Sequence, residues 1–175
     1  MSPELLDWYL NSSYEEIVNH FQIKYGVPTQ PYFMSESCKQ YNKSIKRTGE
    51  GLYIHHIQEI AEFEEYFMSN LSQPVIACQV PFEWQQPNNL CYCNLLEHYL
   101  LHVKINLSRV KSTGRFIRDG VLTLGAQIKN LYLKDFSNTL TDSEKKIFEP
   151  IKEEYKAFVK IHNYWVIEVR KLVDF

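Results

Sequence analysis

Apolar positions recur along this chain at two different spacings, and the changes between them mark out its elements. Between Tyr14 and Tyr25, Ile17, Val18 and Phe21 follow the three-to-four spacing of a half-buried helix. Ser13-Tyr14-Glu15-Glu16 stands in front of it as a capping box, and Gly26 before Val27-Pro28 stops it. Ser2-Pro3-Glu4 predicts a shorter helix upstream, with proline where a missing N–H costs least. A third helical segment is expected over 31–40, apolar at Tyr32, Phe33 and Cys38, until Gly49 and Gly51 break the pattern. The rhythm then changes. Leu52-Tyr53-Ile54-His55-His56-Ile57 has the β-branched and aromatic content of a strand. Glu59 to Met68 returns to the helical period through Ile60, Phe63, Tyr66 and Phe67, and Val75 to Val80 is expected as a short strand or buried extended segment.

Leu90-Cys91-Tyr92-Cys93 predicts a second strand, and Asn94 is suited to cap a helix from Leu95 to about Lys104. That helix buries Leu95, Leu96, Tyr99, Leu100 and Val103 and carries His98 and His102 as a separate stripe. Another amphipathic helix is predicted over Gly120–Leu133 through Leu124, Ile128 and Leu131. A second capping box, Thr141-Asp142-Ser143-Glu144, precedes a long series: Ile147, Ile151, Tyr155, Phe158, His162, Trp165, Val169 and Leu172. This is the spacing of one long packed helix, which needs either the N-terminal helices or a second copy of the chain as its partner, packing within the chain being the default, with His162 a core or interface histidine held by a local partner. The predicted class is α+β, mostly helical. An N-terminal helical segment (1–48) and a C-terminal helical extension (107–175) flank a strand, loop, strand, helix unit at 49–106, with an acidic, aromatic insertion at 59–84.

Composition narrows this without redirecting it. An aromatic share of 14% and a charged share of 23% are those of a chain that buries a core. The N-terminus lacks a basic start with an apolar core behind it, and no apolar run approaches the roughly 20 residues that span a bilayer, so a cytoplasmic protein without membrane association is expected. Cys38, Cys78, Cys91 and Cys93 lack the paired spacing of a zinc knuckle and are read as reduced, with Cys91 and Cys93 on one strand face in the core.

Charge is segregated. The formal net charge is −2, yet Gly51 to Glu97 contains six glutamates and no lysine or arginine. Lys104, Arg109, Lys111, Arg115 and Arg118 follow with no acidic residue among them, and Lys39, Lys43, Lys46 and Arg47 precede the strand. Positive charge thus brackets four of the chain's six histidines, where phosphate contacts would be useful. Those four form two pairs, His55-His56 and His98/His102. Residues at i and i+4 share a helical face, so the second pair can close on a single cation.

In this order the histidines resemble those of HNH endonucleases of the ββα-metal superfamily, whose motif runs from a histidine pair or Asp-His on the first strand, through asparagine in the connection, to histidine on the helix. Asn89-Leu90 stands nine residues before His98, the family spacing, with Cys93, Asn94 and Glu97 where many members carry a leucine and two knuckle cysteines. The pattern is closest to the colicin-type DNases, which also pair two histidines with a helical His-x-x-x-His. The resemblance covers roughly residues 49 to 106. It implies a ββα-metal core in which His55, His98 and His102 hold one divalent ion, of zinc, nickel, manganese or magnesium. His56 is the implied general base, and Asn89 fixes the loop and orients that base. The family often has glycines between its strands, where this chain has the long insertion, and many members use an acidic first ligand in place of His55.

Three functions follow. The first is metal-dependent cleavage of DNA, with Lys104, Arg109, Lys111, Arg115 and Arg118 on the phosphates. The second is an HNH-fold binding protein of a phage or mobile element that inhibits a host defence nuclease, such as a CRISPR effector, through an acidic surface that imitates nucleic acid. The third is a structural metal domain.

Overall fold

The computed structural model describes residues 1–61, 70–115 and 120–173. The elements in order are α1 (Pro3–Asn11), α2 (Tyr14–Tyr25), β1 (Tyr53–His56), α3 (Pro74–Ala77), β2 (Leu90–Cys93), α4 (Leu95–Thr113), α5 (Gly120–Phe136), α6 (Asp142–Phe148) and α7 (Tyr155–Leu172), with short 3₁₀ turns between them. The fold is mostly helical with one two-stranded antiparallel sheet, and the register pairs Tyr53 with Cys93, Ile54 with Tyr92, His55 with Cys91 and His56 with Leu90. Among the described residues no helix is long and apolar enough to cross a membrane.

Local chemistry starts the helices where the sequence indicates. Ser13 and Glu16, Asn94 and Glu97, and Thr141 and Glu144 each close a reciprocal capping box, and Ser2 accepts from the Leu5 N–H. Gly26, at φ 76°, ends α2.

α4 is the axis of the molecule, with twelve of its nineteen residues buried. The sheet, α2, α5 and α7 all pack on it. The main core draws Tyr9, Ile17 and Phe21 from the N-terminal helices, Cys91 and Cys93 from β2, Tyr99 and Leu100 from α4, and Ile128, Phe158 and Trp165 from beyond. Glu97 ties α2 to the start of α4. Its fully enclosed carboxylate accepts from Lys24 Nζ at 2.6 Å and the Tyr25 hydroxyl at 3.1 Å while it also closes the cap. α7 packs within its own chain, as expected, but mainly on α4 and only lightly on α1 of the N-terminal helices. Trp165 Nε1 donates to Asn106 Oδ1 at 2.7 Å, and the Tyr99 hydroxyl meets His162 Nδ1 at 2.8 Å.

Four expectations need correction. Residues 31–40 form turns closed by a Phe33–Tyr41 bridge, with Asn42 N–H donating to Tyr32 O at 2.8 Å. Ser35 and Ser37 favour such local bonding over a helix, and Phe33 and Cys38 bury themselves in a small separate cluster with Ala77. Val75 to Val80 is not extended: Pro74 opens the single turn of α3 instead. α4 runs past Lys104 to Thr113, where Gly114 at φ 63° ends it, because nothing between them breaks a helix. The sequence boundary at 106/107 therefore falls inside one element. The long C-terminal helix is divided, since Pro150 has no N–H to continue the ladder; α6 stops at Phe148, a 3₁₀ turn spans Glu149–Ile151, and α7 begins at Tyr155. Of the helix expected over Glu59–Met68, residues 57–60 are a 3₁₀ turn and 62–69 lie outside the described residues.

Candidate metal centre

β1 ends at His56, and the chain turns at once into the 3₁₀ segment Ile57–Ile60. That stop brings His55 over the face of α4 where His98 and His102 sit one turn apart. One nitrogen from each of these three imidazoles lies within 4.8 Å of the others, close enough to hold a metal ion. His55 is 1% exposed and His102 5%, while His98 is partly exposed, so the cluster sits at the edge of the interior.

The hydrogen bonds around His55 set its tautomer. Tyr14 Oη donates its single proton to Ile57 O at 2.9 Å and contacts His55 Nε2 at 2.8 Å, so the imidazole must donate there. Its Nδ1 keeps the lone pair, is buried, and has no hydrogen-bond partner. A buried ring nitrogen of this kind, held by a hydroxyl behind it, is the arrangement a metal ligand requires. His98 Nε2 and His102 Nε2 are 3.2 Å apart. Glu59 joins them: its Oε2 lies 3.4 Å from His102 Nε2 and 3.7 Å from His55 Nδ1, while Oε1 accepts the Leu71 N–H at 3.0 Å.

Burial, reinforced by the neighbouring imidazoles, holds His55 and His98 well below the usual histidine range. Burial, with the Arg109 guanidinium nearby, pushes His102 down to about 4. His56 is also pushed down to about 4 by burial, against its hydrogen bond to the Gln85 carbonyl oxygen, which raises it. All four rings are therefore neutral near pH 7, the state in which imidazole binds metal or accepts a proton.

His56 points away from the triad yet lines the same cavity of about 570 Å³, which His55, Glu59, His98, His102 and the first turn of α5 also border. Its ring lies 4.6 Å from that of Tyr32, and its Nε2 is 2.9 Å from Gln85 Oε1. Gln85 Nε2 approaches Leu71 O at 3.4 Å, which turns its carbonyl oxygen toward His56. His56 thus carries its proton on Nε2 and leaves Nδ1 as the basic atom.

The Asn89 side chain makes its hydrogen bonds away from His56. It accepts from Gln58 Nε2 at 2.9 Å and donates to Glu83 O at 2.9 Å, so it braces the loop while Gln85 takes the orienting contact expected of it. Neither Gln85 nor Glu59 has a sequence signal: one sits in a run without periodicity, the other looks like one more glutamate of an acidic surface.

The expected phosphate-binding stripe is divided. Lys104 is half-buried and donates to Leu10 O and Ser12 O, both at 2.8 Å, which satisfies carbonyls at the end of α1. Arg109 is 3% exposed, and its Nη2 donates to Glu59 O at 2.5 Å, inside the protein. Lys111 and Arg115 are exposed, and Arg118 lies outside the described residues. The acidic surface is thinned as well, because Glu59 and Glu97 are buried; Glu83 is exposed, and Glu62, Glu64 and Glu65 lie outside the described residues. All four cysteines are free, and burial raises the Cys91 thiol to about 12 and Cys93 well above its usual range, which keeps both protonated in the core.

α5 closes the centre from the side. A Cβ at Gly120 would stand 2.4 Å from His102 Nδ1. Gly120→Ala should therefore displace the imidazole. Overpacking costs about 1–3 kcal/mol, against about 1 kcal/mol that alanine contributes to a helix, so net destabilisation and weaker metal binding are expected. Thermal melts with and without added Zn²⁺ measure both, and a variant at least as stable as wild type in each condition contradicts the packing.

No protein-family model, curated protein or solved structure matches this chain.

Proposed function

We propose that this chain is a metal-dependent endonuclease of the HNH type that hydrolyses phosphodiester bonds in DNA. The observation that carries the reading is the convergence of His55, at the end of a strand, with His98 and His102 on the following helix, around a cavity that His56 also lines. Hydrolysis of a phosphodiester needs a base that takes a proton from water and a cation near the leaving oxygen. His55 Nδ1, His98 Nε2 and His102 Nε2 are the atoms that would hold the ion, which supplies electrostatic stabilisation of charge developing on phosphate and leaving group. His56 Nδ1 accepts the proton of the attacking water, with Gln85 keeping that nitrogen unprotonated and aimed. Asn89 braces the loop that carries Gln85. Three imidazoles favour Zn²⁺ or Ni²⁺ over Mg²⁺, which prefers oxygen donors. Exposed Lys111 and Arg115 at the end of α4 supply positive charge toward the phosphate backbone.

The inhibitor reading depends on a continuous acidic surface, and the burial of Glu59 and Glu97 removes two of its six carboxylates. The endonuclease reading is tested by incubating metal-free protein with supercoiled plasmid across Mg²⁺, Mn²⁺, Ni²⁺ and Zn²⁺. Nicking is expected with at least one of them. Metal at about 100 times its dissociation constant should also stabilise the fold by roughly 2.7 kcal/mol, and His98→Ala should abolish most of that gain together with nicking. Equal responses to metal in wild type and His98→Ala would remove this ligand set.

A further inference from the structure

Glu59 lies where a three-histidine centre would otherwise be open. It is buried, its Oε1 is pinned by the Leu71 N–H at 3.0 Å, and its backbone carbonyl accepts from Arg109 at 2.5 Å, so the side chain is held in place from both ends. The other oxygen faces the imidazoles. A tetrahedral ion with bonds of about 2.0–2.1 Å to nitrogen and oxygen sets its ligand atoms about 3.3–3.4 Å apart. The separations are 3.2 Å between His98 Nε2 and His102 Nε2, 3.4 Å from His102 Nε2 to Glu59 Oε2, and 3.7 Å from His55 Nδ1 to Glu59 Oε2. These three of the six edges fall within about 0.4 Å of that value, and the three imidazole nitrogens lie within 4.8 Å of one another.

We propose that Glu59 is a fourth protein ligand, so that the ion held by His55, His98 and His102 has a closed three-nitrogen, one-oxygen sphere, and that this carboxylate occupies the position a phosphate oxygen would need. The inference rests on the metal centre of the proposed function. A centre of this kind is latched: it holds a transition metal tightly, and an anionic ligand reaches the ion only when Glu59 is displaced. The carboxylate comes from the turn immediately after β1, so the element that positions His55 also carries the latch.

The test uses Co²⁺ as the metal and inorganic phosphate as the competing anion, read by visible absorption. Wild type should give the intense d–d bands of a four-coordinate ion, and millimolar phosphate should leave them unchanged. Glu59→Gln keeps an amide oxygen for the Leu71 N–H but removes the anionic ligand. It should bind Co²⁺ at least about tenfold more weakly, the lower end of what loss of even an outer partner costs, and its spectrum should shift on adding phosphate. Circular dichroism checks that the variant is folded. A wild-type spectrum that shifts with phosphate overturns the closed sphere, whether or not any variant folds. Glu59→Gln with wild-type affinity and spectrum removes Glu59 as a ligand while leaving the histidine centre intact. His98→Ala with wild-type Co²⁺ affinity removes the centre itself and this proposal with it.

Discussion

His56→Ala should bind divalent metal almost as wild type does and cleave plasmid about 10²–10⁴-fold more slowly, the usual worth of a positioned general base. The expectation follows from the two faces of β1. His55 turns toward His98 and His102, whereas His56 turns toward Tyr32 and Gln85, so losing its imidazole removes none of the three nitrogens that face one another. His98→Ala should behave differently, losing metal and cleavage together. Gln85→Ala provides a finer test: without the carbonyl that holds the Nε2 proton, the tautomer is no longer set, and cleavage should fall while metal affinity stays. Isothermal titration with Zn²⁺ beside single-turnover cleavage separates the cases. If His56→Ala loses metal affinity but cleaves normally in excess metal, His56 is a ligand and the base lies elsewhere.

Acid should destabilise the metal-free protein from about pH 6.5 downward, before surface carboxylates begin to protonate. The buried histidines have folded pKa values below the ordinary 6.5, so between the two values the unfolded chain binds more protons than the folded one. Stability is then fully present above about pH 6.5 and is lost as pH falls toward the folded values. His56 and His102, each pushed down to about 4, contribute roughly 3 kcal/mol apiece by the bottom of that window. His55 and His98 act in the same direction. The His56 and His102 losses together already reach the lower end of the whole stability of an ordinary domain, about 5–15 kcal/mol. Urea midpoints at pH 7.5, 6 and 5 should therefore fall steeply, with unfolding near pH 4 to 5 in the absence of denaturant. A midpoint unchanged from pH 7.5 to 5 would show that these rings are not buried neutral. Saturating Zn²⁺ at pH 7.5 should raise the midpoint, because ligation requires the same neutral imidazoles.

The sequence alone determined what depends on neighbours a few residues apart. The capping pairs Ser13/Glu16 and Thr141/Glu144 and the single cap Asn94 could be read directly, since a side chain reaches only to the N–H groups of its own first turn. The shared face of His98 and His102 follows from helical geometry, and both strands follow from β-branched and aromatic runs closed by turns. Where a local rule was overridden, the cause lay in another local feature given too little weight: Pro150 divides the C-terminal helix, Pro74 starts a turn of helix where a strand was expected, and the serines after Phe33 make turns. The tertiary structure decided what lies across long separations. It brought Tyr14 behind His55, Gln85 behind His56, and Glu59 against His102, contacts that no spacing encodes. It also reassigned charge. Lys104 and Arg109 read as surface in any window of sequence, yet one satisfies carbonyls of α1 and the other a carbonyl beside the histidines. The physical reason is the same in each case: a polar group taken out of water must find a partner, and which partner it finds depends on how α1, α2, the sheet and α5 close around α4.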